Sequence, residues 1–225
     1  MSNYVNHRME IKAPSKERLE EILNSIQSVN KEDGTITPID FNSIDPMPEE
    51  LSMGFSLGEE MAARYLVRDL LDPVPKRWAT EDWNSLTEEQ QEKCTPNARR
   101  MIENILKYGY PNWYDWRCAR WGTKWNVLEA SREKKNVILF QTAWCLPDNL
   151  LKTLSSKFGD STFKVTYADE NIGCNCGTAE YKNGEGSYYE PVIGSIEAFE
   201  LAFTLWPSRR EDYVLTENGY EDKEE

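Results

Sequence analysis

A single histidine, His7, stands in the 225 residues. One imidazole excludes a His-rich metal centre. Flanked by Val5, Met9 and Ile11, it is expected to be a strand histidine satisfied by a neighbour. The chain has no Gly-rich phosphate cradle and no nucleophile motif. Its five cysteines are an odd number, and the opening MSNYVNHRMEIKAPSKE has no apolar leader, which argues against a disulfide framework. The paired C-x-x-C spacing of zinc sites is missing. Only Cys174 and Cys176, as C-x-C, offer a set with Cys118 and Cys145, so neither metal nor cofactor is expected. No apolar run approaches the roughly 18 residues of a membrane span. The expected place is the cytoplasm, with no membrane partner. Positive charge is also scarce: 26 Lys and Arg against 39 Asp and Glu give a net charge of −13. That disfavours generic nucleic-acid binding, which relies on Lys and Arg, and favours a solvated acidic surface.

What the chain does have is tryptophan. Tyr110–Asn126 reads YPNWYDWRCARWGTKWN and holds Trp113, Trp116, Trp121 and Trp125, half of the eight indoles in the protein. Each aromatic ring buries roughly 150–250 Å², so the stretch reads first as a packing motif with Arg and Lys stems lying along the rings. Cations cluster there. From Lys107 to Lys135 there are seven bases (Lys107, Arg117, Arg120, Lys124, Arg132, Lys134, Lys135) and three acids (Asp115, Glu129, Glu133). Asp40 to Glu60 has six acids and no base. A stacking platform for single-stranded bases and a Trp/Tyr/Arg hot spot for a partner are the alternatives. Any surface site is expected at Trp113, Tyr114, Asp115, Arg117, Arg120 and Lys124. No residue is assigned a catalytic role; Asp115, Asp169 and Glu170 are carboxylates without a recognisable partner.

Alternation predicts a strand over Val5–Ile11. Ser15 caps a helix with Leu19, Ile22, Leu23 and Ile26 on one face. A second strand is predicted over Ile36–Phe41, at an edge because of Pro38. Helical periodicity covers Glu59–Leu71, stopped by Asp72-Pro-Val-Pro75. Thr87 with Gln90 is a capping box for a short polar helix, with the stretch near residues 80–93 mobile. Thr95-Pro96 opens a further helix to Tyr108, with Met101, Ile102, Ile105 and Leu106 inward and Gly109 as its stop. A short strand over Trp125–Ala130, a buried strand over Val137–Trp144, a helix with Leu150, Leu151, Leu154 and Phe158, and a strand through Phe163, Val165 and Tyr167 follow. Asn183-Gly184 turns a hairpin, and Ser195 caps a last helix ended by Pro207.

Two β-α-β units, Val5–Phe41 and Val137–Tyr167, fit an α+β, ferredoxin-like two-layer sandwich with a split β-α-β and an antiparallel sheet. Right-handed crossovers place both helices on one face. Residues 1–210 are expected to form one domain, with a helical insertion at about 55–109 between the two halves. The acidic tail 211–225 is expected to fray.

ITPIDFNSIDPMP, YPNWYDWRCARWGTKWN, FQTAWCLPDNLLKTLSSKF and VTYADENIG resemble, in order and spacing, the YubB-like family of phage- and plasmid-borne proteins with a ferredoxin-like domain. The resemblance runs from about Met1 to Tyr189. Two departures stand out: Cys145-Leu146-Pro147 where members have Ser-Pro-Pro after TAW, and Arg117 before Cys118 where members often place Cys directly. Both weaken a case for a functional thiol. The resemblance implies the fold and a mobile-element or bacterial cytoplasmic setting, and it carries over no catalytic or binding residue. Three functions compete. The first is a non-enzymatic interaction protein that engages a host or mobile-element protein. The second is a nucleic-acid binder working through residues 110–126, and the third is an enzyme.

Overall fold

A computed structural model describes residues 3–70 and 73–223. The predicted helix end at Leu71 and stop at Asp72 lie outside the described residues, as do Met1, Ser2, Glu224 and Glu225. The chain divides into a sheet unit, Met1–Pro46 with Arg117–Glu225, and a helical unit, Met47–Trp116.

The sheet unit is built on β1 (Tyr4–Lys12), whose strict alternation buries Val5, His7, Met9 and Ile11. Helix α1 (Lys16–Ile26) follows, capped by the Ser15 hydroxyl accepting from the Arg18 N–H at 3.1 Å. Strands β2 (Ser28–Val29) and β3 (Ile36–Thr37) pair only with each other. The strand predicted over Ile36–Phe41 is therefore corrected: Asp40 leaves the extended run to cap a short helix, α2 (Phe41–Ile44), through the Asn42 N–H. Asp at a helix start satisfies an orphan N–H that an edge strand ending at Pro38 does not need.

The remaining strands are β4 (Ala130–Lys134), β5 (Val137–Ala143), β6 (Thr162–Asp169), β7 (Cys176–Lys182) and β8 (Glu185–Tyr189), with α7 (Asp148–Lys157) between β5 and β6. The helical unit, taken below, supplies α3 to α5 and the first half of α6 in chain order. The sheet order is β4-β5-β1-β6-β7-β8, and every pairing is antiparallel. β1 separates β5 from β6, so each β-α-β is split by a strand of the other, which is the ferredoxin-like arrangement. The first unit is β1-α1-β4. Its second strand begins at Ala130, where the short strand predicted over Trp125–Ala130 ends. In chain order the helical residues fall between α1 and β4.

Register sets His7 opposite Phe140 and Tyr167, and Ile11 opposite Phe163. This face is covered by α1, α2 and α7. Phe41 stands edge-on to Phe140, Tyr181 donates to Asp148 on α7 at 3.0 Å, and the Arg18 guanidinium lies over the Phe158 ring. The opposite face carries a third, partial layer. Helix α8 (Ile196–Leu205), capped by Ser195, packs Ala198, Phe199, Ala202 and Phe203 against Ala168 and Cys176. Trp206 Nε1 donates to the Ala168 carbonyl at 2.9 Å. Through Lys223 the tail is folded: β9 (Tyr213–Thr216) and β10 (Gly219–Asp222) form a hairpin whose Tyr213 and Tyr220 close on Phe199 and Phe203. Those two rings decide against the acidic side chains around them, because they bury apolar area that the carboxylates leave exposed. The Asn-Gly turn stands as predicted, with φ of 51° at Asn183 and 84° at Gly184.

His7 departs from expectation. It is 1 % exposed, stacked on Phe140 with centroids 4.6 Å apart, and among the described residues neither ring nitrogen has a hydrogen-bond partner. Burial drives its pKa from 6.5 to about 3, and the neighbouring Phe140 and Val5 backbone offsets only part of that. The unfolded chain therefore takes up this proton first as pH falls. Stability is complete above pH 6.5 and is lost progressively down to about pH 3, by about 5 kcal/mol over the full range. We expect His7→Phe to flatten this arm of the stability–pH curve in urea titrations between pH 7 and 4. An unchanged slope would show that the imidazole is protonated in the folded state.

Candidate functional site

The aromatic stretch forms α6 (Trp113–Arg120) and the WGT turn after it. Asn112 starts the helix: its Oδ1 accepts from the Tyr114 and Asp115 N–H groups, and its Nδ2 donates to Asp115 at 2.9 Å. Trp113 to Trp116 belong to the helical unit and Arg117 onward to the sheet unit.

In the sheet unit Trp121 is fully buried. It stands edge-on to Phe41 at 5.7 Å and donates Nε1 to the Asp45 carbonyl at 2.9 Å. Arg120 grips the Asp45 carboxylate with two hydrogen bonds, at 2.9 and 3.0 Å. Gly122, at φ +84°, lies so close to α7 that a Cβ would meet the Asp148 N at 3.2 Å. Thr123 donates to the Ala143 carbonyl at 2.8 Å, and Asn126 joins the Phe41 N–H to the Asp40 side chain. The cations lie on rings: Arg117 over Trp121, and Lys124 over both Trp125 and Trp144, 3.9 and 3.7 Å from their centroids. Of the four indoles, Trp116 and Trp121 are buried and Trp113 and Trp125 half-buried. The stretch therefore does not present an unbroken row of rings for bases.

The other sequence candidates are held structurally. Asp169 is buried and accepts from the Asn171 N–H and the Asn3 and Asn175 amides, and Glu170 accepts from the Tyr4 N–H. None of the five cysteines is in a disulfide. Burial raises the Cys145 thiol, which donates to the Gly122 carbonyl, and pushes Cys176 up to about 11. Among the described residues no three His, Cys, Asp or Glu side chains converge on a metal position.

The helical unit contains the feature sequence reasoning missed. Helix α3 (Leu57–Leu66) opens with a Ser56–Glu59 capping box, and α4 (Pro73–Asn84) starts at the Pro-Val-Pro expected to stop a helix. Helix α5 (Glu88–Tyr108) is continuous through Pro96. The break predicted at Thr95 does not occur because the Thr95 hydroxyl donates back to the Gln91 carbonyl, while Thr87 and Gln90 make the actual cap. The predicted mobile stretch near residues 80–93 is helical on both sides of a short turn. Ala62 and Ala63 meet Ala98 in a small core with Ile102.

Gly109, at φ +81°, ends α5, and the buried Asn104 donates to the Pro111 carbonyl at 3.1 Å, folding the chain back. Between these parts lies a groove of about 600 Å³. Ala63, Val67 and Leu70 form one wall, and Met101, Ile102, Ile105 and Leu106 the other. Glu60, Arg64 and Asp115 stand at its rim, the first two joined at 3.6 Å. Ile105 and Leu106, expected inward, are exposed; Leu70 is 86 % and Leu106 82 % accessible. Their apolar spacing was visible in the sequence; its want of a cover was not. Of the six predicted site residues, only Asp115 touches this groove.

The fold defines an α+β protein with a ferredoxin-like domain. Residues 120–206, from Arg120 through α8, match the family described as the ferredoxin-like domain in Api92-like protein. A crystal structure of the protein api92 from Yersinia pseudotuberculosis is 12 % identical, covering 85 % of this chain and 99 % of that one at a TM-score of 0.32. No curated protein matches in sequence. No helix among the described residues is long and apolar enough to cross a membrane.

Trp121→Ala removes a filled core position, and we expect a loss of about 3–5 kcal/mol. Trp121→Phe keeps the ring but orphans the Asp45 carbonyl, for about 1–3 kcal/mol. Urea midpoints check both, and a Trp121→Ala midpoint within error of the parent would show the indole to be peripheral.

Proposed function

We propose that this protein is a non-enzymatic interaction protein that docks a partner protein through the apolar groove of its helical unit. The observation that carries the reading is the pair Leu70 and Leu106, two large aliphatic side chains left more than four-fifths exposed across one concave surface. Exposed apolar patches of this kind mark interaction sites rather than ordinary surface. The ferredoxin-like unit then serves as the scaffold, and the helical residues as an insertion that carries the working surface. The motif pattern NWYDW…WGTKW and F-x-TAW supports a YubB-like kinship, and with it a partner from a mobile element or its bacterial host in the cytoplasm. Of the sequence-derived binding residues, Asp115 contributes at the rim. Base stacking is the weaker reading, since Trp116 and Trp121 are inside and the cations beside them lie on rings or on Asp45.

A photo-cross-linking residue placed at Ile105 in living bacteria tests this. We expect one discrete adduct to a definable protein, lost on Leu70→Glu or Leu106→Glu. Both substitutions are at exposed positions and should cost no more than about 0.5 kcal/mol of stability. A smear of adducts, or a discrete adduct indifferent to both substitutions, would remove the groove as the docking surface.

A further inference from the structure

We infer that the groove's occupant is one amphipathic α-helix of a partner protein, with Lys or Arg flanking its apolar stripe. This rests on the docking role proposed above and names the chemistry of what docks.

The walls exclude an extended peptide. One wall is α5 and the other is the last turn of α3 with its cap Val67 and the 3-10 turn Arg68–Leu70, whose Val67 and Leu70 N–H groups bond back to Ala63 and Val67, and the facing side chains are aliphatic. A strand laid there would press its N–H and C=O groups against Leu106, Ile105 and Val67 with nothing to receive them, a cost of kilocalories per group. A helix brings its backbone already satisfied and offers a stripe of side chains. The Ala62, Ala63 and Ala98 contact brings α3 and α5 together, and the apolar stripe of α5 continues past it to Ile105 and Leu106, which are exposed among the described residues. A further helix completes the bundle that these two begin.

Charge decides the flanks. The rim has two carboxylates, Glu60 and Asp115, and one cation, Arg64, which is turned back on Glu60. Residues 47–116 hold thirteen Asp and Glu against eight Lys and Arg, and the whole chain is at −13. An acidic or neutral helix would meet net repulsion or no guidance, whereas a basic one is steered in and its register fixed by the rim.

Three helix-stabilised peptides with one shared Leu stripe at i, i+3, i+4 and i+7, flanked by Lys, Gln or Glu, test this by fluorescence anisotropy on the full chain at low salt. We expect the Lys-flanked peptide to bind about three- to tenfold tighter than the Glu-flanked one, as one or two surface charge pairs allow. Leu106→Glu should abolish binding, and the Glu60→Gln, Asp115→Asn double variant should erase the preference without abolishing it. Equal affinities for all three peptides, with binding still lost in Leu106→Glu, would overturn the basic partner and leave the docking role standing. No binding of any peptide, together with an absent cross-link at Ile105, would overturn both. A dimer seen by sedimentation and dissolved by Leu106→Glu would make the occupant a second copy and overturn this inference as well.

Discussion

The indole of Trp121 and the carboxylate of Asp45 hold the sheet unit together where its chain is least regular. Residues 38–46 and 117–129 belong to no strand of the main sheet, and backbone that is buried outside regular structure needs partners. Here those partners converge. Trp121 takes the Asp45 carbonyl, Arg120 its carboxylate, Asn126 the Phe41 N–H, and Phe41 in turn seats edge-on against Trp121 and Phe140. Gly122 lets the turn lie against the start of α7, where any side chain would crowd the Asp148 backbone. The clamp thereby ties the exit of β5 and the start of α7 to the segment that follows α1, and the second β-α-β is anchored by it.

The same constraint shows what the cations of the aromatic stretch do within this fold. Lys124 lies between two indoles, Arg117 covers a third, and Arg120 is bound to Asp45. Rings with positive charge over their faces are satisfied electrostatically. The locally positive composition is thus a property of packing. The helical unit differs: three alanines centre a small core with Trp83, Cys94 and Ile102, while Leu70, Ile105 and Leu106 line an open groove.

His7 shows how far the sheet unit tolerates a polar group for the sake of shape. Its ring is stacked flat on Phe140, with Tyr167 beyond, and it remains neutral because burial outweighs what the Phe140 and Val5 backbone offers a second proton. The position uses the imidazole as a flat ring, and burial dominates its titration.

Local order was legible in the sequence. The caps at Ser15, Thr87 and Ser195, the Asn183-Gly184 turn, the stop at Gly109, the alternation of β1 and β6 and the apolar run of β5 each depend on residues within one turn or one strand. Those signals were enough to give the ferredoxin-like class. The partner of the first β-α-β was not legible, because Ile36–Thr37 and Ala130–Lys134 are equally plausible as short strands and only the edge of β5 selects the second. Nor was the continuity of α5 through Pro96, the third layer under α8, or the closing of the acidic tail on Phe199 and Phe203. The pattern of α5 determined that Ile105 and Leu106 share an apolar face. Whether anything covers that face is fixed by elements distant in sequence, and only the tertiary structure, where packing is settled, leaves it open.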